Sequence, residues 1–226
     1  MDKSSPYPPY ECPLLPGNFY HVYNRTNNGE PLFKSPENRR YFLEKFGEYL
    51  FPYLTSYAYC LLDNHFHFLV RIREELELEK QLNSLSASQH SAVQKKLLEQ
   101  VPEFRTWDEL TSSQFHRFFT SYAMSVNKEW GRKGNLFYRP FQRVPVQHES
   151  HFTHLIYYIH ANSKKHGLQS DFRNYPWNSY ATMLSDNPTK LERQVVLDWF
   201  GGKTAFELFH QQTEEWKDIE GLIIEW

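Results

Sequence analysis

Two histidines separated by one residue lie inside an apolar run, "LLDNHFHFLVRI", residues 61–72. The aromatic and β-branched composition of the run predicts a strand, on which His65 and His67 project to one face and Phe66 and Phe68 to the other. Two imidazoles on one face can share a metal ion or grip a phosphate. The alternative is a pair of half-exposed histidines on an open sheet face, and the motif alone leaves both interpretations open.

A second group of polar side chains lies on a predicted late helix, residues 149–167. Its apolar stripe has helical spacing and consists of Phe152, Leu155, Ile156 and Ile159. Tyr158 and Asn162 lie one turn apart beside this stripe, at the edge of the face that must pack on the sheet. The spacing therefore brings a phenol and a carboxamide toward the sheet, although it equally fits a boundary tyrosine whose hydroxyl lies in water.

The elements that must position these side chains follow the order β-α-β-β-α-β-α. Strands are predicted at 19–26, 53–62, 65–72 and within 138–147, and helices at 36–51, 111–130 and 149–167. The dipeptide Asp63-Asn64 predicts the tight turn of a hairpin. This order predicts an α+β fold of the ferredoxin-like, split-βαβ type, with an antiparallel sheet and helices packed on one face.

Three regions are predicted along the chain. Residues 1–17 contain five prolines and predict an extended N-terminal arm, followed by a main domain at 18–182. The main domain contains a polar, serine-rich insertion at 74–106, which we expect to be partly helical. Residues 183–226 predict a helical C-terminal extension.

The composition restricts the class of protein. The 226 residues carry a formal net charge of -2, which argues against non-specific coating of nucleic acid, although basic residues cluster at 128–143. No apolar run approaches the roughly 18 residues that cross a bilayer, and the N-terminus has no apolar signal core. We therefore expect a cytoplasmic protein with no membrane partner. Two cysteines alone predict neither a zinc knuckle nor a disulfide framework.

Five segments together resemble a known family. They are "YHVYNRTNNGEPLF", "AYCLLDNHFHFLV", "GNLFYRPFQRVPV", "YYIHANSKKHGL" and "YPWNSY". In order and spacing they resemble the single-tyrosine HUH transposases, and among these the REP-associated tyrosine transposases. The resemblance runs from about Phe19 to Tyr180, interrupted by the insertion at 74–106, and departs from the usual pattern at Ser163, where relatives carry proline.

The resemblance implies a mechanism and a set of site residues. His65 and His67 match the HUH histidines and Asn162 the third ligand position, which implies a catalytic Mg or Mn ion. Tyr158 matches the nucleophile, which implies cleavage and rejoining of single-stranded DNA through a 5′-phosphotyrosine intermediate, as in DNA transposition. The implied partner is single-stranded or hairpin DNA, and a homodimer is left open.

Further residues are candidates for DNA binding. The positive side chains expected to hold the DNA backbone are Arg139, Arg143 and Lys165. The first strand supplies residues that would read bases near the foot of a hairpin: Tyr20, His21, Asn24 and Arg25.

Three other functions compete with the transesterase. One is a catalytically silent, sequence-specific DNA-binding descendant, against which the joint presence of His65, His67, Tyr158 and Asn162 argues. The second is a metal-dependent hydrolase that uses water, whose motif should add a carboxylate, whereas "HFHFLV" continues as an apolar run. The third is a structural or assembly protein, in which the matched residues would be accidental.

Overall fold

The computed structural model describes residues 8, 10–85, 91–99, 106–138, 140–148 and 150–211. Several sequence-based predictions fall partly outside this range: the start of the N-terminal arm, parts of the insertion, Arg139 and the end of the C-terminal extension.

Four antiparallel strands form a single sheet. They are β1 (Phe19–Arg25), β2 (Leu54–Leu61), β3 (His65–Ile72) and β4 (Gln142–Val146). Their order across the sheet is β2-β3-β1-β4, and each strand runs antiparallel to its neighbours. This is the strand order of a split-βαβ, ferredoxin-like sheet, so the predicted α+β class is confirmed. Pro145 lies in β4, an edge strand, where a residue without a backbone N–H is tolerated because one side of the strand makes no hydrogen bonds to a neighbouring strand.

The hairpin of β2 and β3 places the histidine motif in the middle of the sheet. Asp63 and Asn64 connect the two strands, as their turn-forming chemistry predicts. On its other side β3 pairs with β1, so that His65 lies opposite Arg25 and His67 lies opposite Tyr23. Both histidines are therefore held by backbone pairing on two sides.

Two long helices cover one face of the sheet: α1 (Pro36–Leu50) and α4 (Trp107–Trp130). Helix α1 begins as the Ser-Pro pair predicts, since the Ser35 side chain accepts a hydrogen bond from the Asn38 backbone N–H. The core on this face is aromatic. The rings of Phe46 and Phe68 stack with centroids 4.1 Å apart. Burial of Phe66 and Phe68 here directs the intervening His67 to the opposite face.

The opposite face is covered by α5 (Ser150–Lys165), which packs mainly against β2. The prediction of helices on one face thus describes α1 and α4, while α5 forms a second layer. Beyond α5 lie three short helices: α6 (Tyr180–Leu184), α7 (Arg193–Phe200) and α8 (Lys203–Phe209). Tyr157 points to this outer layer and contacts the rings of Phe172 and Phe209. None of the described helices is long and apolar enough to cross a membrane.

The insertion and the lead-in to β1 both pack on the aromatic core. The insertion contains α2 (Glu75–Ser84) and α3 (Ala92–Glu99), whose buried leucines join that core. The lead-in buries Leu14 completely. It is also tied by hydrogen bonds, because the Tyr20 hydroxyl donates to the Pro13 carbonyl oxygen at 2.8 Å.

Candidate active site

His65 and His67 face α5 and not solvent. They are only 6% and 2% exposed, so the interpretation of half-exposed histidines on an open sheet does not hold. The His67 ring lies edge-on to the Tyr158 ring, with centroids 5.8 Å apart. The structure therefore brings the strand motif and the helix motif into direct contact.

Each histidine has one ring nitrogen occupied by a neighbouring side chain. His65 Nδ1 lies 2.6 Å from Asn64 Oδ1, and because an amide oxygen only accepts, the imidazole must donate. His67 Nδ1 lies 3.0 Å from His21 Nε2, within the buried interior of the sheet face. In both histidines Nε2 is the atom directed away from these contacts.

Asn162 is held by the helix that carries it. Its Nδ2 donates to the Tyr158 carbonyl oxygen at 2.8 Å, one turn earlier in α5. That bond fixes the orientation of the amide and involves only its nitrogen. Asn162 is completely buried, and Tyr158 is 3% exposed.

Three buried polar atoms of these residues have no hydrogen-bond partner among the described residues: His65 Nε2, His67 Nε2 and Asn162 Oδ1. An unpaired buried polar atom costs about 1–3 kcal/mol, so each of these three calls for an explanation. Two imidazole nitrogens and an amide oxygen suit a divalent cation that keeps open positions for other ligands. No cluster of three or more His, Cys, Asp or Glu side chains suited to a metal occurs in the described residues, so the amide is essential to such a site.

The histidines are uncharged at neutral pH, which is the state that binds metal. Burial is the main cause that lowers the pKa of His65 to about 3, and His166 and Arg25 lower it further. Burial likewise lowers the pKa of His67 well below its usual value, with the neighbouring imidazoles and Lys165 adding to the effect. The electrostatic neighbours that lower the pKa of the two histidines are the cations Arg25 and Lys165 and other imidazoles, and such surroundings favour an anion such as a phosphate.

Three more residues border the site, and the sequence did not single them out for it. The His166 ring lies edge-on to His65, with centroids 4.6 Å apart. Tyr23 stacks on His67 at 5.7 Å, and burial raises the pKa of its hydroxyl. Asn64, which the sequence predicts only as a turn residue, accepts the hydrogen bond from His65 Nδ1. For Tyr23 a signal existed, because alternation on β1 places it on the same face as His21.

The residues predicted to bind DNA fall into two groups. Lys165 is exposed and Arg25 is half-buried, whereas Arg139 lies outside the described residues. The side chains of the other four are buried: Tyr20, His21, Asn24 and Arg143. In this conformation none of these four presents its side chain to a DNA strand, because each is packed inside the domain.

The buried contacts of Arg143 and His21 explain where their polar groups go. Arg143 Nε donates to the Cys12 carbonyl oxygen and Nη1 donates to Ser112 Oγ at 2.9 Å, which ties the lead-in and α4 to β4. His21 contacts His67. Positive charge and strand position do not reveal such burial, since it depends on what covers the strand.

No protein-family model matches the sequence, and no curated protein sequence matches it. A solved structure does match: a REP-associated tyrosine transposase bound to a REP hairpin, with a TM-score of 0.53. The alignment covers 84% of this chain and 90% of that chain at 13% sequence identity. This chain has the fold of that transposase.

Proposed function

We propose that this protein is a metal-dependent transesterase that cuts and rejoins single-stranded DNA, with Tyr158 as the nucleophile. One observation carries the proposal: three buried polar atoms, two on β3 and one on α5, have no partner among the described residues, and two of the residues that bear them contact Tyr158. The His67 ring lies against the Tyr158 ring, and Asn162 bonds the Tyr158 carbonyl oxygen. The fold of a hairpin-bound tyrosine transposase supports the same conclusion. A bound cation would give each of these three buried atoms a partner.

His65, His67 and Asn162 would hold a Mg or Mn ion through His65 Nε2, His67 Nε2 and Asn162 Oδ1. When bound, such an ion withdraws charge from a phosphate and stabilises the extra negative charge of the transition state. The protein contributes by fixing the ligands in advance, since Asn64, His21 and the Tyr158 carbonyl each hold one ligand's other polar atom. All three ligands are neutral, so the phosphate itself supplies the anionic charge.

Tyr158 would attack phosphorus through its hydroxyl oxygen. The phenolic proton passes to solvent, the new oxygen–phosphorus bond forms, the bond from phosphorus to the 3′-oxygen breaks, and the leaving 3′-oxygen takes up a proton from solvent. The products are a 5′-phosphotyrosine and a strand with a free 3′-OH, and the reverse reaction rejoins them without ATP. Lys165 would stabilise the phenolate, because its Nζ lies 5.6 Å from the centre of the Tyr158 ring.

The substrate would be single-stranded or hairpin DNA. The solved structure with this fold is bound to a REP hairpin, and a tyrosine attacking phosphorus needs an exposed phosphodiester. Lys165 and Arg25 lie at the edge of the site and could hold phosphates on either side of the reacting one. A transposition-type reaction would follow from joining the 5′-phosphate to a different 3′-OH.

The closed state of the site favours a second candidate, a DNA-binding descendant without catalysis. Tyr158 and Asn162 are almost wholly buried, so a phosphodiester reaches them only if α5 or a neighbouring segment moves. A protein that never opens this site would bind DNA without cutting it.

One assay separates the two candidates. The protein is incubated with Mn²⁺ and a labelled single-stranded hairpin oligonucleotide, and covalent protein–DNA adducts are resolved on a denaturing gel. We expect an adduct with the wild-type protein and none with Tyr158→Phe. The matched control is Tyr157→Phe, the adjacent tyrosine of α5, which faces the outer helices and should keep the adduct.

The other outcomes are equally informative. Binding without an adduct, across several hairpin sequences, would favour the non-catalytic descendant. Cleavage without an adduct would indicate a hydrolase that uses water. Loss of the adduct in both tyrosine variants would mean that α5 is generally sensitive to substitution, and Tyr158 would lose its special role.

A further inference from the structure

His21 lies beside the candidate site and contacts His67. It lies on β1, its side chain is completely buried, and its Nε2 is 3.0 Å from Nδ1 of His67. The two rings are nearly parallel, with an interplanar angle of 22°. Tyr23, two residues later on the same face, stacks on His67 and contacts the His21 ring at a tilt of 38°.

A hydrogen bond between two neutral imidazoles can have its proton on either ring. If His21 Nε2 donates, His67 must carry its own proton on Nε2, where it would block binding of a cation. If His67 Nδ1 donates, its Nε2 keeps a lone pair directed into the site. The choice of tautomer therefore decides whether His67 can be a ligand at all.

The surroundings of His67 favour the second arrangement. Its neighbours on the site side are His65, whose Nδ1 donates to Asn64, and Lys165, whose ammonium lies over the Tyr158 ring. A lone pair directed toward a cationic region is more stable there than an N–H dipole with the same direction. Among the described residues, His67 Nε2 has no hydrogen-bond acceptor to receive such a proton.

We propose that His21 is a positioning residue, which accepts the Nδ1 proton of His67 and thereby holds His67 Nε2 as a metal ligand. This inference rests on the proposed function and deepens it, since it assigns to His21 a role in the metal site in place of contact with DNA bases. His21 does not touch the reacting atoms. Its contribution is to fix both the tautomer and the ring orientation of the residue that does.

The tautomer is measurable without metal. Nitrogen NMR of protein labelled with ¹⁵N-histidine distinguishes Nδ1–H from Nε2–H imidazole. We expect His67 to be the Nδ1–H tautomer in the wild type and in His21→Gln, whose amide oxygen can replace Nε2 as the acceptor. In His21→Leu the acceptor is gone, and the proton should be distributed over both nitrogens. An Nε2–H tautomer in the wild type would overturn the inference.

The consequence for metal binding is tested with Co²⁺, which imidazole binds more tightly than Mn²⁺. All the proteins compared, the wild-type reference included, carry His148→Gln, because the rings of the exposed His148 and the half-buried His151 lie 5.0 Å apart and offer a competing site. We expect His21→Leu to weaken Co²⁺ binding about 10–100-fold, the usual loss when the partner of a ligating histidine is removed. His21→Gln should restore most of this affinity.

Each result decides between distinct claims. If the wild type, His21→Leu and His21→Gln bind Co²⁺ with equal affinity, the role of His21 is overturned while the metal site stays intact. Absence of Co²⁺ binding in the wild type would overturn the metal site of the proposed function, and the affinity claim for His21 with it. If His21→Leu does not fold, the wild-type tautomer and the affinity of His21→Gln, which must stay near that of the wild type, still decide the question.

Discussion

Asn162 donates from Nδ2 to the carbonyl oxygen of Tyr158 at 2.8 Å, and this bond leaves Asn162 Oδ1 buried with no partner among the described residues. The proposed ligand and the proposed nucleophile are thus linked through one turn of α5. The Tyr158 carbonyl oxygen already lies within the backbone hydrogen-bond ladder of α5. The additional bond from the Asn162 side chain therefore adds little to the stability of the helix. The arrangement is better explained by a ligand than by stability.

Replacement of Asn162 by Leu, a side chain of similar shape, should separate stability from function. The variant removes a buried acceptor whose lack of a partner costs about 1–3 kcal/mol, so we expect the free energy of unfolding to be unchanged or higher. Adduct formation should be abolished. Chemical denaturation and the adduct gel measure the two effects. A Leu variant that still forms the adduct would remove Asn162 from the proposed ligand set.

Cation and DNA should bind cooperatively. The proposed ligands carry no negative charge, so a phosphate oxygen would supply the anionic ligand that Mg²⁺ and Mn²⁺ prefer. We expect Mn²⁺ to bind at least about 10-fold more tightly when a hairpin oligonucleotide is present, and the oligonucleotide to bind more tightly by the same factor with Mn²⁺. Titration calorimetry with Tyr158→Phe, which cannot form the adduct, measures both. Independent binding would contradict a shared phosphate ligand.

A chain of buried hydrogen bonds predicts acid sensitivity. His210 Nδ1 donates to the Phe206 carbonyl at 2.8 Å, so its Nε2 accepts from His160 Nδ1 at 2.9 Å, and His160 Nε2 in turn lies 2.7 Å from Ser179 Oγ. Every imidazole in this chain is neutral. Burial lowers the pKa of His210 to about 4, against an ordinary value near 6.5.

The sign of the effect follows from the lowered pKa. As pH falls, His210 takes up a proton in the unfolded chain at a higher pH than in the folded protein. The contribution of neutral His210 to the free energy of unfolding is therefore complete above about pH 6.5 and is lost as pH falls toward 4. The loss is of the order of 3 kcal/mol for His210. We expect His210→Gln, which keeps an acceptor but cannot titrate, to unfold with a shallower dependence on pH between 6.5 and 4. Parallel curves for the two proteins would show that His210 does not titrate in this range.

Two basic residues expected at the DNA surface should behave differently. Arg143→Ala removes buried contacts to Cys12 and Ser112, so we expect it to lower the free energy of unfolding by about 2–4 kcal/mol with little change in DNA affinity. Lys165→Ala should leave stability within about 0.5 kcal/mol, weaken DNA binding, and reduce the salt dependence of binding by about one charge. Denaturant titrations and binding at several salt concentrations test both. The reverse pattern would place Arg143 at the DNA.

Local patterns in the sequence were sufficient for the elements of the fold. Three of these patterns each involve only a few residues and can be recognised in the sequence: the Ser-Pro pair before α1, the alternation in β3 and the Asp63-Asn64 turn. The helical spacing of α5 likewise predicted that Tyr158 and Asn162 lie one turn apart, and the two residues are hydrogen-bonded there. These patterns are readable because they reflect backbone geometry and the burial of a single face.

Tertiary structure alone decided which polar side chains meet. Periodicity tells which face of a strand is buried but not what covers it, so His21 and Arg143 were both predicted at a DNA surface and both lie inside. The pairing of His21 with His67 depends on the register of β1 against β3, strands far apart in the sequence. That register is set because both faces of the sheet must be buried at the same time. This requirement involves all four strands, so no short segment of the sequence reveals it.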